Sequence, residues 1–393
     1  MKCPICNHER MNDVYSMEQV PYSVFWQDDK IIPTIDLVAS MCDTCTLLFQ
    51  KSAYVSNEYD AVMQKVYNAY QIMDSSIRPF PISEDSIGYA LKFLSDTVDF
   101  SHIINVLEIG SNRGDFLYHL KFRFGHINII GIEPSNLDFV GVPTVRAFFS
   151  RNIFSNKFDL VIVRHVLEHI KHPVNFLNDI KAILVEEGKL FIEVPNTRND
   201  LMEKIEVFTP DHICYFTAQS MNRLVEESGM SLLAMGDEDG VPLMVIMSNA
   251  VTRETHNSCD NCKETRALIG EYRKSMNDTV RSVKELIDKG YRIIFYGSKN
   301  AFLRFYNAID VSIVHTPLKE HVLAVIDDSA ERIGKRVSGF SVKDFGHLNA
   351  MKDEKIVFII CAARENADTM INKIKNADLK DYKIILPWIG EVA

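Results

Sequence analysis

The segment from Ile103 to Leu120 constrains this chain more than any other. Ile103-Ile104-Asn105-Val106-Leu107-Glu108-Ile109 is a short, mostly apolar, β-branched run, as a strand buried on both faces requires. It leads directly into Gly110-Ser111-Asn112-Arg113-Gly114, and Asp115 to Leu120 then follows helical spacing. Strand, glycine turn and helix in that order make a place where backbone can approach a ligand closely. The helix start adds N–H groups that have no partner within the helix.

Further strands and helices alternate with this unit. Ile127–Ile132 reads as a second strand and ends at Glu133-Pro134-Ser135. An acid about 20 residues after a glycine turn can accept hydrogen bonds from both ribose hydroxyls of a nucleoside. Phe158–Val163 leads into Arg164-His165-Val166-Leu167-Glu168-His169, and Lys189–Val194 ends in Pro195-Asn196. The alternation predicts a doubly wound α/β sheet with ligands at the carboxyl ends of its strands. Beyond it, Thr217 reads as the N-cap of a helix whose face is Met221, Leu224, Val225 and Ser228, stopped by Gly229. Asp211-His212 therefore falls on a loop or strand end near the ligand edge. Either Asp211 orients a proton-accepting imidazole, or His212 caps and packs the next element.

Six of the eight cysteines form three Cys-x-x-Cys pairs. Cys3, Cys6, Cys42 and Cys45 fit one four-thiolate zinc site: two intervening residues let a tight turn aim both sulfurs at one ion, and four thiolates close the coordination shell. Such a zinc is structural, and it stabilises a module with little core of its own. Cys259 and Cys262 lie in a polar stretch. They form a second metal site across a dimer, a labile disulfide, or two plain surface thiols.

The C-terminal third repeats the α/β pattern. A charged helical run at Asp278–Lys289 precedes the strand Tyr291–Tyr296, which ends in Gly297-Ser298-Lys299-Asn300. Val322–Ile326 ends at Asp327-Asp328, and Lys355–Ile360 and Lys383–Leu386 are further strands. This second Rossmann-like unit binds a nucleotide or sugar nucleotide at Gly297, Ser298, Lys299, Asn300 and Asp327, or serves as scaffold or dimer surface.

With 393 residues and a formal charge of −10, the chain has ordinary globular composition and the wrong sign to hold a nucleic-acid polymer. No apolar run approaches the ~18–20 residues of a membrane span. A cytoplasmic enzyme for a small-molecule substrate, monomer or homodimer, is the expectation. The expected divisions are 1–60 (zinc module), 61–250 (central domain), 251–275 (linker) and 276–393 (C-terminal Rossmann-like domain).

Glu108-x-Gly110-x-x-x-Gly114, Glu133, the Phe158–Val163 strand and the Glu193–Asn196 strand end together resemble a class I S-adenosylmethionine-dependent methyltransferase. The resemblance implies that Gly110, Ser111, Asn112 and Gly114 lie against the cofactor. It makes Glu133 the ribose acid and Glu108 the organiser of the turn, with Pro134, Arg164 and His165 beside them. Over nearly the full length, the chain is similar to zinc-containing sugar C-methyltransferases, which alkylate a carbon beside the ketone of nucleotide-linked keto-deoxysugars. Cys42 to Gln50, Glu108 to Gly114, Tyr296-Gly297-Ser298 and Val325 to Asp328 carry that similarity. The family has Tyr-His-Glu-His and then a Tyr-Phe pair; here the residues are Thr209-Pro210-Asp211-His212, then Tyr215-Phe216. His212 becomes the base and Asp211 its orienting acid. Tyr70 (or Tyr67), Asn196 and Tyr215 become substrate contacts. Other readings are methylation of oxygen or nitrogen on a related metabolite, a zinc peptidase built on His165-x-x-Glu168-His169, and a cofactor-binding protein without catalysis.

Overall fold

A computed structural model describes residues 1–21, 34–56, 59–61, 84–135, 141–203, 207–250, 262–298, 300–312, 317–362, 364–387 and 390–392. Tyr67, Tyr70, Cys259 and Lys299 lie outside them. The chain divides into two compact units. One comprises Met1–Asp13, Ala39–Asn199 and Asp211–Lys263; the other comprises Val14–Val38, Asp200–Pro210 and Glu264–Ala393.

Three short strands open the chain: β1 (Met11–Pro21), β2 (Thr34–Cys42) and β3 (Leu48–Gln50). After the short helix α1 (Ser52–Val55), helix α2 (Glu84–Thr97) precedes β4 (Asn105–Ile109), α3 (Asp115–Arg123), β5 (Asn128–Ile132), β6 (Thr144–Val145) and β7 (Phe158–Arg164). Then come α4 (Pro173–Ile183), β8 (Leu184–Val194), α5 (Thr197–Glu203), β9 (Cys214–Tyr215), α6 (Ala218–Ser228), β10 (Ser231–Gly236) and β11 (Leu243–Ser248). The larger sheet of the first unit runs β10-β11-β8-β7-β4-β5-β6. Its strands from β8 to β6 are parallel, and β11 and β10 add an antiparallel edge. Connections leave β4 toward β5 on one side and β7 on the other, so the turn after β4 sits where the winding reverses. Leu160, Ile162 and Phe191 from the sheet pack with Leu91 and Leu94 of α2 and Phe116, Leu117 and Leu120 of α3, all buried. This is the continuous apolar patterning expected of central parallel strands.

Within the first unit, Ala39–Met41 of β2 also pairs with β3, and β3 with β9. Leu48 pairs with Tyr215 and Phe49 with Cys214. The expectation of a separate zinc module over 1–60 is therefore corrected: the cysteine-bearing ends group with the central domain, because β3 pairs with a strand from its far side.

The second unit contains α7 (Cys262–Asp288), β12 (Arg292–Tyr296), α8 (Asn300–Ser312), β13 (Val322–Ile326), β14 (Arg336–Val337), β15 (Phe340–Lys343), β16 (Lys355–Ile360), α9 (Arg364–Lys375), β17 (Asp381–Leu386) and β18 (Gly390–Val392). Its sheet order, β14-β15-β13-β12-β16-β17-β18, again places the first long strand between two parallel neighbours. The expected linker over 251–275 is corrected for its second half, since α7 starts at Cys262. Ile269, Tyr272, Met276, Val283 and Leu286 are buried at spacings of three, four and seven, which gives the helix a continuous buried stripe.

Gly297 ends β12 with φ 98°, and a Cβ there would lie 2.3 Å from the Cys361 carbonyl oxygen. Neither the backbone angle nor the neighbour can yield cheaply. Gly297→Ala should lower stability by at least about 2 kcal/mol, read as a lower urea midpoint; an unchanged midpoint would contradict this account of the turn.

Candidate functional site

Three positive-φ residues shape the turn after β4: Gly110 (71°), Asn112 (50°) and Gly114 (86°). A Cβ on Gly110 would stand 2.3 Å from Val166 Cγ2, and one on Gly114 would stand 2.9 Å from Val142 Cβ. The Gly110 N–H donates to the Ile132 carbonyl at 2.8 Å. Glu133 Oε2 accepts from the Asn112 N–H at 3.0 Å, and Oε1 accepts from the Ser135 N–H at 2.9 Å. The acid therefore ties the turn to its own strand end, and each oxygen keeps a lone pair for another donor. Pro134 lies half-buried between them. Ser111 and Ser135 are buried, and their hydroxyl oxygens have no hydrogen-bond partner.

Beneath the turn lies a buried ionic group. Arg164 Nε donates to Glu193 Oε2 at 2.6 Å, and its Nη2 to Oε1 at 3.3 Å. The guanidinium carbon lies 4.3 Å from the centre of the Phe116 ring. Arg164, expected beside a cofactor, is held by Glu193 and Phe116, while its Nη1 is buried without a hydrogen-bond partner. Burial pushes the Glu108 carboxyl up to about 8; Arg164 opposes this, and Glu193 and Glu133 add to it. Despite its burial, Glu193 is held down to about 2 by His165 and Arg164.

His165 has φ 51° and lies outside any helix. Its Nε2 is 3.2 Å from Glu193 Oε1, and its Nδ1 is 3.5 Å from Glu168 Oε1. Desolvation opposes the charge, but the hydrogen bonds to Glu168 and Glu193 win and push it up to about 10. Leu167–His169 is a single 3-10 turn. His165 and His169 therefore do not share a helix face, and the geometry of a His-x-x-Glu-His peptidase is absent at this string.

Asp211 and His212 lie against that turn. His169 Nδ1 is 2.8 Å from the Asp211 carbonyl oxygen, and the His169 and His212 ring centres are 5.0 Å apart. The Ile213 N–H donates to the Glu168 carbonyl at 2.7 Å, and the Ile213 carbonyl accepts the Gln50 N–H at 2.8 Å. Burial lowers the His212 pKa, His169 and His165 act in the same direction, and Asp211 and Glu168 resist. The imidazole is therefore neutral and basic near neutral pH. Tyr215 lies next to it, with ring centres 6.2 Å apart.

Asn196 is buried, and its amide is engaged with Asp237 Oδ1 (2.6 Å) and the Arg198 N–H (3.2 Å). These bonds fix the orientation of its amide in the loop after β8. In the second unit, Asp327 is likewise filled by its own chain. It accepts from the Ser298 N–H (2.9 Å), the Ser298 hydroxyl, the Ser329 N–H (2.9 Å) and Arg332 (2.8 Å). Asn300 begins α8.

The four cysteines converge. Cys3 and Cys45 sulfurs are 3.5 Å apart, and Cys6 and Cys42 sulfurs 3.6 Å apart. The two knuckles repeat one backbone design. Asn7 and Thr46 have φ 57° and 58° and donate their N–H groups to the Cys3 and Cys42 carbonyls. The hydrogen bond with Cys42, with burial, pushes the Cys3 thiol up to about 12, and Cys3 and Cys42 push Cys45 up as well.

In the sequence, Glu193 stands out only as the start of a strand end, and Glu168 and His169 only as part of the peptidase string. Position at the carboxyl ends of β8 and β7 was the available signal.

Residues 80–234 match a family model described as a methyltransferase domain, and the first unit has the Rossmann-like α/β fold of such domains. The chain is 24% identical over 266 residues to the C-methyltransferase NovU of Streptomyces niveus, covering 61% of this chain and 58% of that one. It is 25% identical over 107 residues to the tRNA U34 carboxymethyltransferase of Campylobacter fetus subsp. fetus, covering 24% and 38%. These matches span well under two thirds of either relative. Among solved structures, the 1,6-didemethyltoxoflavin-N1-methyltransferase of Burkholderia thailandensis, with bound 1,6-didemethyltoxoflavin and S-adenosylhomocysteine, aligns with a TM-score of 0.39 and 14% identity. That alignment covers 55% of this chain and 96% of that one. Among the described residues, no helix is long and apolar enough to cross a membrane.

Glu108 gives a pH prediction. An unfolded glutamate ionises above its ordinary value of 4.5, whereas the folded carboxyl keeps its proton to about 8. Stability is therefore lost as pH rises between those values, by up to ~1.4 kcal/mol per pH unit. Glu108→Gln should flatten that decline in urea titrations at pH 5 to 8; parallel declines in variant and wild type would refute it.

Proposed function

We propose that this chain is an S-adenosylmethionine-dependent methyltransferase that alkylates the carbon beside the ketone of a nucleotide-linked deoxysugar, with His212 as the base. One observation carries the reading: packing and backbone hydrogen bonds tie His212 to the glycine turn. Val166 packs on Gly110, Glu168 and His169 follow it, and Ile213 hydrogen-bonds to Glu168. The turn suits the cofactor, because the Ser111 and Ser135 hydroxyls are buried without partners and Glu133 keeps lone pairs beyond its two backbone donors. Gly110, Ser111, Asn112 and Gly114 would line it, with the remaining lone pairs of Glu133 for the ribose. The bound cofactor supplies an electrophilic methyl sulfonium.

His212 accepts the proton from the carbon beside the ketone, and Asp211 orients the ring. The resulting enolate carbon attacks in line, so its placement governs the rate. Similarity to the NovU C-methyltransferase supports carbon as the acceptor. Thr209 and Pro210, which replace the Tyr and first His of the resembled family, favour a second reading. In it a hydroxyl or amine is methylated and no enolate must be stabilised.

The four cysteines are proposed to hold a structural zinc. A tetrahedral ion with ~2.3 Å bonds sets sulfur spacings of ~3.8 Å, close to those observed.

Incubation with methyl-labelled S-adenosylmethionine and nucleotide-linked keto-sugars should place the label on carbon. His212→Ala should lower kcat by about 100-fold or more while leaving cofactor affinity by calorimetry within a few-fold. Label on oxygen, or unchanged turnover, would overturn the lead reading. Elemental analysis should find zinc that Cys3→Ser with Cys42→Ser removes; retention in that double variant would refute the thiolate site.

A further inference from the structure

We propose that Glu168, His169 and His212 form a second metal centre, for one divalent transition ion, whose occupancy excludes His212 from acting as base. One ligand atom from each of these residues lies within 4.8 Å of the other two. A tetrahedral ion with bonds of ~2.0–2.1 Å needs spacings of about 3.4 Å, so side-chain rotation by an ångström or so closes the site. Two imidazoles and a carboxylate suit zinc, cobalt or nickel rather than magnesium or calcium.

Two independent features point to a ligand here. Glu168 is 2% exposed, yet its Oε2 has no hydrogen-bond partner. A buried carboxylate oxygen left in that state is costly unless a cation or donor meets it. His169 faces the Asp211 carbonyl with Nδ1, which must therefore carry the ring proton and leaves Nε2 as the basic nitrogen. Metal-binding histidines commonly show this arrangement, with the distal N–H fixed by a carbonyl or carboxylate. Three protein ligands leave a fourth position open to solvent or substrate. The ion would use the His212 lone pair that proton abstraction needs, so the two states exclude each other.

The metal centre stands on its own geometry; its effect on turnover rests on the base assignment above. The test uses full-length protein with its thiolate site already filled by zinc. Added Co2+ should bind as one further equivalent, with tetrahedral d–d absorption and no thiolate charge-transfer band. His169→Gln and Glu168→Gln, checked for folding by circular dichroism, should each weaken it by more than about tenfold. Absence of the extra equivalent, or equal affinity in both variants, overturns the centre. On wild-type protein, added Zn2+ should suppress methyl transfer in step with filling of that equivalent; full turnover with the equivalent filled overturns the exclusion. A chain that transfers no methyl group under any condition would defeat the functional reading and still leave the cobalt titration decisive for the metal.

Discussion

The residue on which the candidate site depends is Ile213, through the two hydrogen bonds of its backbone. Its N–H is given to the Glu168 carbonyl and its carbonyl takes the Gln50 N–H. One residue thus joins the 3-10 turn after β7 to the strand that leaves the second cysteine knuckle. His212 precedes it directly, so the imidazole is positioned by two backbone hydrogen bonds, each worth ~0.5–1.5 kcal/mol net and more costly if left unmade. The knuckle is held in turn from below: Thr46 approaches Thr217 at 3.4 Å and donates to Gln219 at 3.2 Å. A sulfur cluster far from the cofactor cradle thereby belongs to the same mechanical unit as the proposed base.

The two α/β sheets use the same device at the end of their first long strand. A positive-φ glycine donates to the last residue of the next strand, Gly110 to Ile132 and Gly297 to Ile326, both at 2.8 Å. The acid that follows that strand then accepts an N–H from the turn and another from two residues beyond itself. The difference lies in what remains. Glu133 keeps lone pairs directed away from these bonds, whereas Asp327 also receives Arg332 and the Ser298 hydroxyl. The same topology therefore yields a turn ready for a ligand in one unit and a turn closed on itself in the other.

Much of this was legible in the sequence. The apolar runs at Val106, Leu160 and Phe191 marked buried strands because parallel strands have no wet face. Gly110, Gly114 and Glu133 were recognisable from spacing, and the two knuckles from Cys-x-x-Cys. What could not be read were relations between distant segments. Nothing local at Leu48 announces a pairing with Tyr215, so residues 1–60 look like a free-standing module. The polar stretch before Thr265 hides the start of α7, whose buried stripe becomes periodic only over its whole length. The ion pair of Arg164 was hidden because its partner, Glu193, lies on another strand. The helical reading of His165 to His169 failed at a single backbone angle that periodicity does not reveal.

The pairing of β3 with β9 also sets an order of events during folding. Each knuckle closes within a few residues and can form as soon as it is synthesised. The contact that fixes the base cannot: it joins Gln50 to Ile213, which lie on either side of the sheet's parallel strands in sequence. A contact of such sequence separation is slow to form, and on a growing chain it must wait for the intervening sheet. The sulfur cluster is therefore complete well before there is a site for it to support. The proposed active centre is among the last parts of the first unit to acquire its final shape.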